Sequence, residues 1–118
     1  MTTVPGRMGA VKPAGAAYTT LVQPVTNIVV GYVLFANQSA TTDTIRVSVT
    51  QNAASNPTPS AGDFISYGAN VNGTPDANFA DHGSVGPITL NPANNDQIVV
   101  YSVNGTTSFV FTGDAGAT

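Results

Sequence analysis

The pair Asn104-Gly105 constrains the fold of this 118-residue chain more than any other feature. Both central residues of a type I′ turn need positive φ, and Asn followed by Gly meets that need at the lowest steric cost. Runs of β-branched and aromatic residues flank the pair over residues 97–112. This pattern predicts a β-hairpin, and with it an antiparallel β protein.

The composition favours strands and turns over helices. Charged residues make up only 8% of the chain, about a third of the usual share of roughly 25%. All six acidic residues are Asp, so the strong helix former Glu is absent, and Arg7, Lys12 and Arg46 are the basic residues. Thr, Ser and Asn must therefore cover the outside of the protein. Such a neutral, hydrogen-bonding surface suits packing against another protein.

The charge and hydropathy exclude several classes of partner. The net charge is −3, and three scattered cations cannot neutralise a run of phosphates, so we expect no nucleic-acid binding. No segment approaches the ~20 apolar residues of a spanning helix, and the few cations suit no anionic membrane surface. The chain has no Cys, so the sequence does not indicate a redox compartment.

Residues 1–16 are predicted to form an extended arm, and residues 17–118 a single β-sandwich domain. Proline and glycine recur in the arm and are expected to break any regular element there. An arm of this kind either frays or docks on a neighbouring subunit. The candidate partner contacts are Val4, Arg7, Met8, Val11 and Lys12.

About seven short strands separated by turn signals predict an antiparallel two-sheet sandwich, with either a jelly-roll or an immunoglobulin-like strand order. Residues 27–37 are apolar on both faces, which predicts a central strand or one lying against another subunit. Residues 43–50 alternate between apolar and polar, and Pro87 places residues 84–90 at an edge. The other predicted strands are residues 18–23, residues 64–67 and the two halves of the hairpin. Residues 51–62 and 68–83 are predicted loops, and residues 113–118 a tail.

The titratable residues do not form a catalytic pattern. Asp81, His82 and Ser84 are close in sequence, but neighbours on an extended chain point apart and no nucleophile elbow surrounds them. We therefore expect no enzyme. Oxygen ligands for Ca²⁺ are available in one loop, which nevertheless lacks EF-hand spacing and a bidentate Glu, so we expect no metal or other cofactor. These residues are Asn70, Asn72, Asp76, Asn78 and Asp81.

The aromatic residues allow two interpretations. They could line a sugar-binding platform, or they could fill the core, where their alternation within strands is typical. The residues concerned are Phe35, Phe64, Tyr67, Tyr101, Phe109 and Phe111.

Four segments together carry a resemblance to a known class of proteins. They read GRMGAVKPA at residues 6–14, IVVGYVLFANQ at residues 28–38, IRVSV at residues 45–49 and DQIVVY at residues 96–101. In this order they resemble small virion proteins of tailed bacteriophages, particularly those of cyanobacteria and other aquatic hosts. Those chains share an arm reading roughly R-L-G-x-x-x-P, a strand closing on V-x-N-x, then F-R-V-x-V and a late L-x-x-x-D-x-V-x-V strand.

The resemblance implies a virion structural protein, assembled in the host cytoplasm. Its expected role is that of a capsid decoration or cement subunit, which stabilises the bacteriophage head through contacts with the major capsid protein or other virion proteins. A homo-oligomer is expected, with a trimer favoured. The alternative is a sandwich module on a tail fibre or baseplate that binds a host glycan through residues 51–62 and 68–83. The resemblance carries no functional motif, so no binding residue transfers from it.

Overall fold

A computed structural model of the chain describes residues 3–73 and 81–116. Eight strands and two 3₁₀ turns, Ala61–Asp63 and Pro92–Asn94, make up its regular structure. The predicted all-β antiparallel fold is confirmed, with one strand more than expected. The strands are β1 (Thr3–Val11), β2 (Thr19–Val22), β3 (Val29–Asn37), β4 (Asp43–Gln51), β5 (Phe64–Val71), β6 (His82–Leu90), β7 (Asp96–Ser102) and β8 (Thr107–Gly116).

The strands form two four-stranded sheets. Sheet A has the order β1-β8-β3-β6, and sheet B has the order β2-β7-β4-β5. The first strand therefore pairs with the last, the second with the seventh, the third with the sixth and the fourth with the fifth, always antiparallel. This is the strand order of a jelly roll. The topology thus decides between the two strand orders that the sequence left open.

The core lies between the inner faces of the two sheets. Phe109 and Phe111 of β8 are fully buried there, together with Ile45 and Val47 of β4 and Val33 of β3. Removal of such side chains from water, at about 25 cal/mol per Å² of apolar surface, is the main force that holds the sheets together. Two of the six candidate platform aromatics, Phe109 and Phe111, therefore belong to the core.

Several strand predictions are confirmed. β3 is central in sheet A, as expected for a segment that is apolar on both faces. β4 places Ile45 and Val47 in the core and turns Arg46 outward. β6 is an edge strand, and Pro87 follows a cis peptide bond at its bulge opposite Tyr32. Among the described residues, no helix is long and apolar enough to cross a bilayer.

The prediction that no regular element forms in residues 1–16 is wrong for residues 3–11. These residues form β1, which pairs with β8 from Thr3↔Gly116 to Val11↔Phe109 and has a bulge at Met8. Proline and glycine are tolerated because β1 is an edge strand, where one side of the backbone needs no ladder partner. The same pairing places residues 113–116 in β8 rather than in the predicted tail.

The predicted hairpin at Asn104-Gly105 is also wrong. β7 belongs to sheet B and β8 to sheet A, so the connection crosses between the sheets. Only Gly105 of the pair has positive φ, which excludes a type I′ turn. A hydrogen bond from the Gly105 N–H to the Ser102 carbonyl (3.3 Å) closes the turn, and the Asn104 N–H donates to the buried carboxylate of Asp43 (2.9 Å).

Asp43, the first residue of β4, binds the β7–β8 connection through hydrogen bonds. Its carboxylate accepts hydrogen bonds from the hydroxyls of Ser102 and Thr107, the last residue of β7 and the first of β8. It also accepts from the Thr44 N–H (2.9 Å). A buried anion that gathers four donors can hold a turn in a shape that its own sequence does not favour.

Residues 52–60, here called the covering loop, fold over the outside of sheet B. They lie within the loop predicted for residues 51–62, and Pro57 and Pro59 are buried. The side chain of Gln97 on β7 donates to the carbonyls of Asn52 (2.6 Å) and Ala54 (2.7 Å). The loop therefore covers part of the outer face of sheet B.

Candidate functional site

The residues that could have been catalytic do not converge in the structure. The His82 Nδ1 lies 2.9 Å from the Asp81 carboxylate, and this contact lowers the pKa of Asp81. The His82 side chain is 72% exposed, and none of its hydrogen bonds within the described residues reaches Ser84. That no enzyme is encoded stays a prediction.

The loop with possible Ca²⁺ ligands is only partly described. Asp76 and Asn78 lie outside the described residues. In residues 3–73 and 81–116, no group of three or more His, Cys, Asp or Glu side chains could hold a metal ion. Two groups of side chains with distinctive chemistry lie instead on the outer faces of the two sheets.

The outer face of sheet A carries an apolar strip. We use this name for Val30, Tyr32 and Leu34 of β3 and Val110 of β8. The three β3 side chains are 41%, 45% and 42% exposed, although they lie on a central strand. Val110 is the register partner of Leu34 and extends the strip onto the next strand. Contiguous apolar surface at the centre of a sheet face is typical of a site that another molecule covers.

At one end of the apolar strip the surface forms a shallow hollow of about 330 Å³. Leu34, Ala36 and Val110 form its apolar wall, and His82 and Ser108 lie at its rim. The mostly apolar lining of this open hollow suits apolar side chains of a partner.

The predicted partner contacts of the N-terminal segment lie along β1 and just after it. Arg7 and Lys12 are exposed, whereas Met8 and Val11 are half-buried and pack against the core of their own chain. The side chain of Val4 lies outside the described side chains. Contact of these five residues with a partner stays a prediction, and Met8 and Val11 offer only part of their surface for it.

The outer face of sheet B carries an arginine enclosed by aromatic rings. We call Tyr18, Arg46, Phe64, Tyr67 and Tyr101 the Arg46 cluster. Arg46 on β4 has Tyr67 of β5 and Tyr101 of β7 as its two cross-strand partners. Its guanidinium carbon lies 4.3 Å from the Tyr67 ring centroid and 4.5 Å from that of Tyr101. The guanidinium is therefore sandwiched in a double cation–π contact.

The remaining rings close the cluster. Arg46 Nη1 donates to the Tyr18 hydroxyl at 2.7 Å, and the ring of Tyr18 lies 4.7 Å from that of Tyr101. Phe64 meets Tyr67 edge-on, with centroids 4.9 Å apart. The hydrogen bond that Arg46 donates to the Tyr18 hydroxyl is the main cause that raises the pKa of Arg46 above its ordinary value. The charge on Arg46 is therefore permanent.

Two bulges in β5 set the direction of its side chains: the first places Phe64 and Tyr67 on the same face, and the second separates Tyr67 from Ala69, which packs against the core. Ile65 and Gly68 are the extra residues, because Phe64 pairs with Ser48, Ser66 with Val47, Tyr67 with Arg46 and Ala69 with Ile45. Gly68 has φ of +78°, a conformation that glycine adopts at little cost. Strict alternation would have turned Phe64 and Tyr67 to opposite faces.

The Arg46 cluster is a candidate site that the sequence alone does not predict. Phe64, Tyr67 and Tyr101 were candidates for a platform, but Tyr18 and Arg46 were not joined to them. The available signal was Gly68 inside a strand pattern, which indicates a bulge. Comparisons of the chain with known protein families, with curated proteins and with solved structures found no match.

Proposed function

We propose that this protein is a virion structural subunit, which decorates a bacteriophage head and stabilises it through protein–protein contacts. The observation that carries the proposal is the apolar strip. A jelly roll with few charges leaves three large apolar side chains exposed at the middle of sheet A, where a docked protein would cover them. The resemblance of the sequence to virion proteins of tailed bacteriophages is the reason for proposing a bacteriophage particle as its location.

The dimensions of the molecule suit this role. Its two longest principal extents are 43 and 28 Å, so a broad side is larger in outline than the about 800 Å² per partner that a standard interface buries. Jelly rolls occur in viral capsid domains, but also in lectins and cupins, so the fold alone does not decide the function. The apolar strip favours a protein partner, since a contiguous exposed apolar patch is typical of a surface that another protein covers.

The first experiment locates the protein. Particles purified on a density gradient from an infected culture are analysed by quantitative mass spectrometry. We expect the protein in the particles at a copy number comparable with that of the major capsid protein. A few copies per particle would instead support the tail-associated alternative, and absence from the particles would contradict both.

The second experiment tests the apolar strip with a matched pair of variants. Leu34→Ser alters the strip, while Val103→Ser alters a valine in the β7–β8 connection that is equally exposed at 42%. We expect Leu34→Ser to lower the occupancy of particles severalfold and Val103→Ser to leave it unchanged. Point substitutions are preferable to deletion of residues 1–16, because deletion would remove an edge strand. Equal occupancy of both variants would show that the strip is not the contact.

A further inference from the structure

We propose that the Arg46 cluster binds a saccharide that carries a carboxylate, such as a uronic acid residue of a polysaccharide. This inference concerns the opposite sheet from the apolar strip and does not rest on the proposed structural role.

The positive charge of Arg46 has no counterion within the described residues. In residues 3–73 and 81–116 the ion-pair criterion is met only by Asp81 and His82. An arginine on a protein surface ordinarily meets a carboxylate or phosphate, which its planar fork of N–H donors fits. The charge of Arg46 is instead surrounded by neutral rings. The cluster is therefore electrostatically complementary to an anion that the described residues do not supply.

The rings also restrict how an anion can approach. Tyr67 and Tyr101 occupy the two faces of the guanidinium, and Tyr18 takes one donor of Nη1. Nε is buried without a partner, whereas Nη2 makes no hydrogen bond within the described residues and does not belong to the buried, unpartnered atoms. Only the edge formed by the two Nη atoms remains for a ligand. Edge-on approach is the geometry in which a carboxylate accepts paired hydrogen bonds from arginine.

The surroundings of that edge suit a sugar ring. Tyr67 is 64% exposed, so a large part of a flat apolar ring is available for the C–H face of a pyranose. The hydroxyls of Tyr67 and Tyr101 have no partner among the described residues, and that of Tyr18 still has its own proton to donate. These three hydroxyls provide donors and acceptors for sugar hydroxyls beside the cation.

The single positive charge of the Arg46 cluster favours a carboxylate over a phosphate as its ligand. Arg46 is the one basic residue of the chain beyond Lys12, so no second cation is available to the cluster from the sequence that follows the N-terminal segment. A phosphate monoester carries about two negative charges at neutral pH, which one guanidinium neutralises only in part. A carboxylate carries one charge and two oxygens, which match the open edge of Arg46.

The test compares two ligands with the same rings and different charge. Isothermal titration calorimetry of the full chain uses an oligosaccharide of galacturonic acid, its methyl ester and acetate. We expect the acid to bind at least about tenfold more tightly than the ester, as loss of a charge-assisted hydrogen bond requires. We expect acetate, which lacks the ring, not to bind measurably. Equal binding of acid and ester, or binding of acetate as strong as that of the acid, would overturn the proposal, as would no binding of the acid.

Four variants locate the binding. Arg46→Gln should abolish the preference for the acid over the ester, and Arg46→Lys should recover only part of it, since lysine keeps the charge and loses the fork. Tyr67→Ala should weaken binding of both oligosaccharides. Tyr32→Ala removes an exposed tyrosine from sheet A and should change neither. Unaltered affinity in Arg46→Gln and Tyr67→Ala, with folding checked by circular dichroism, would place the binding elsewhere and overturn the proposal.

Discussion

The outer faces of the two sheets depart from the usual arrangement, in which apolar side chains are buried and polar side chains are exposed. On sheet B the outward side chains of Ser48, Thr50 and Gln97 are polar, yet they are buried, because the covering loop and the neighbouring rings lie over them. On sheet A the outward side chains of Tyr32 and Leu34 are apolar, yet they are open to solvent.

This contrast shows that the chain covers the face that least needs protection from water. The covering loop and its hydrogen bonds to Gln97 lie over polar groups, which would have been stable in solvent. The apolar face has no such layer among the described residues. The outer face of sheet A is therefore left open for the partner protein that we propose, whereas that of sheet B is partly covered by its own chain.

The largest expected effect comes from Asp43, which joins the two sheets where the chain crosses between them. Asp43→Ala removes the acceptor of four donors and leaves buried hydroxyls and N–H groups unpaired. We expect the free energy of unfolding to fall by about 3 kcal/mol, measured by urea denaturation. If the two faces belong to one cooperative unit, the loss should appear as a single transition.

The control for that variant is Asp114→Ala, which removes an exposed aspartate of β8. Its unfolding free energy should change by less than about 0.5 kcal/mol. Two separate transitions in Asp43→Ala would show instead that each sheet has its own stability, and the comparison of the faces would then describe two independent layers.

Gln97→Ala tests the cover of sheet B directly. The substitution removes two hydrogen bonds to the covering loop and the bond that Gln97 Oε1 accepts from the Thr20 hydroxyl (2.7 Å). We expect a loss of about 2 kcal/mol in unfolding free energy, with faster hydrogen exchange in residues 52–60. Thr89→Ala, on the outside of sheet A, should cost less than about 0.5 kcal/mol. Equal losses would remove the asymmetry between the faces.

Acid should weaken the crossing between the sheets. Burial raises the pKa of Asp43, but its hydrogen bonds from Ser102, Thr107, Asn104 and Thr44 together lower it by more, so the net shift is downward. A carboxyl whose pKa is lower in the folded state stabilises the fold above its unfolded pKa of about 3.9, and that stability is lost as the pH falls through the folded value.

The measurement for this prediction is urea denaturation between about pH 6 and pH 3. The chain should lose stability below about pH 4, and by less than Asp43→Ala loses, because a protonated carboxyl keeps part of its hydrogen bonding. Asp43→Asn should show a shallower dependence on pH. An identical dependence in the variant would assign the acid sensitivity to other aspartates.

Apart from the controls, the smallest expected effect on stability is that of Leu34→Ser. The side chain is 42% exposed and lies outside the core, so unfolding free energy should fall by about 1 kcal/mol or less. Its effect on particle binding should nevertheless be large. A loss of stability greater than that of Gln97→Ala would indicate that the apolar strip supports the fold rather than a contact.

The sequence predicts where the individual strands lie better than it predicts which strands pair with one another. β3 and β4 follow from apolar patterning, and Pro87 locates an edge, since these signals depend on local backbone chemistry. Asn104-Gly105 correctly indicates a turn, but turn chemistry does not determine which strands pair. In this chain the buried Asp43, some sixty residues earlier, decides that the turn crosses between sheets.

The candidate site was harder to predict for the same reason. Arg46 and Tyr67 become neighbours through the register between β4 and β5, and that register depends on the bulges at Ile65 and Gly68. β1 was missed because glycine and proline normally argue against a strand, whereas an edge strand accepts both. The partner contacts named in residues 4–12 stay predictions.

The position of the tyrosines gives the protein a built-in optical reporter. The chain has four tyrosines and no tryptophan, so its ultraviolet emission comes from tyrosine. Tyr18, Tyr67 and Tyr101 lie in the Arg46 cluster, and Tyr32 lies alone on the apolar strip. In the Tyr32→Phe variant every tyrosine would belong to the Arg46 cluster. Quenching of tyrosine fluorescence would then report ligand binding to the cluster in real time, without an added dye.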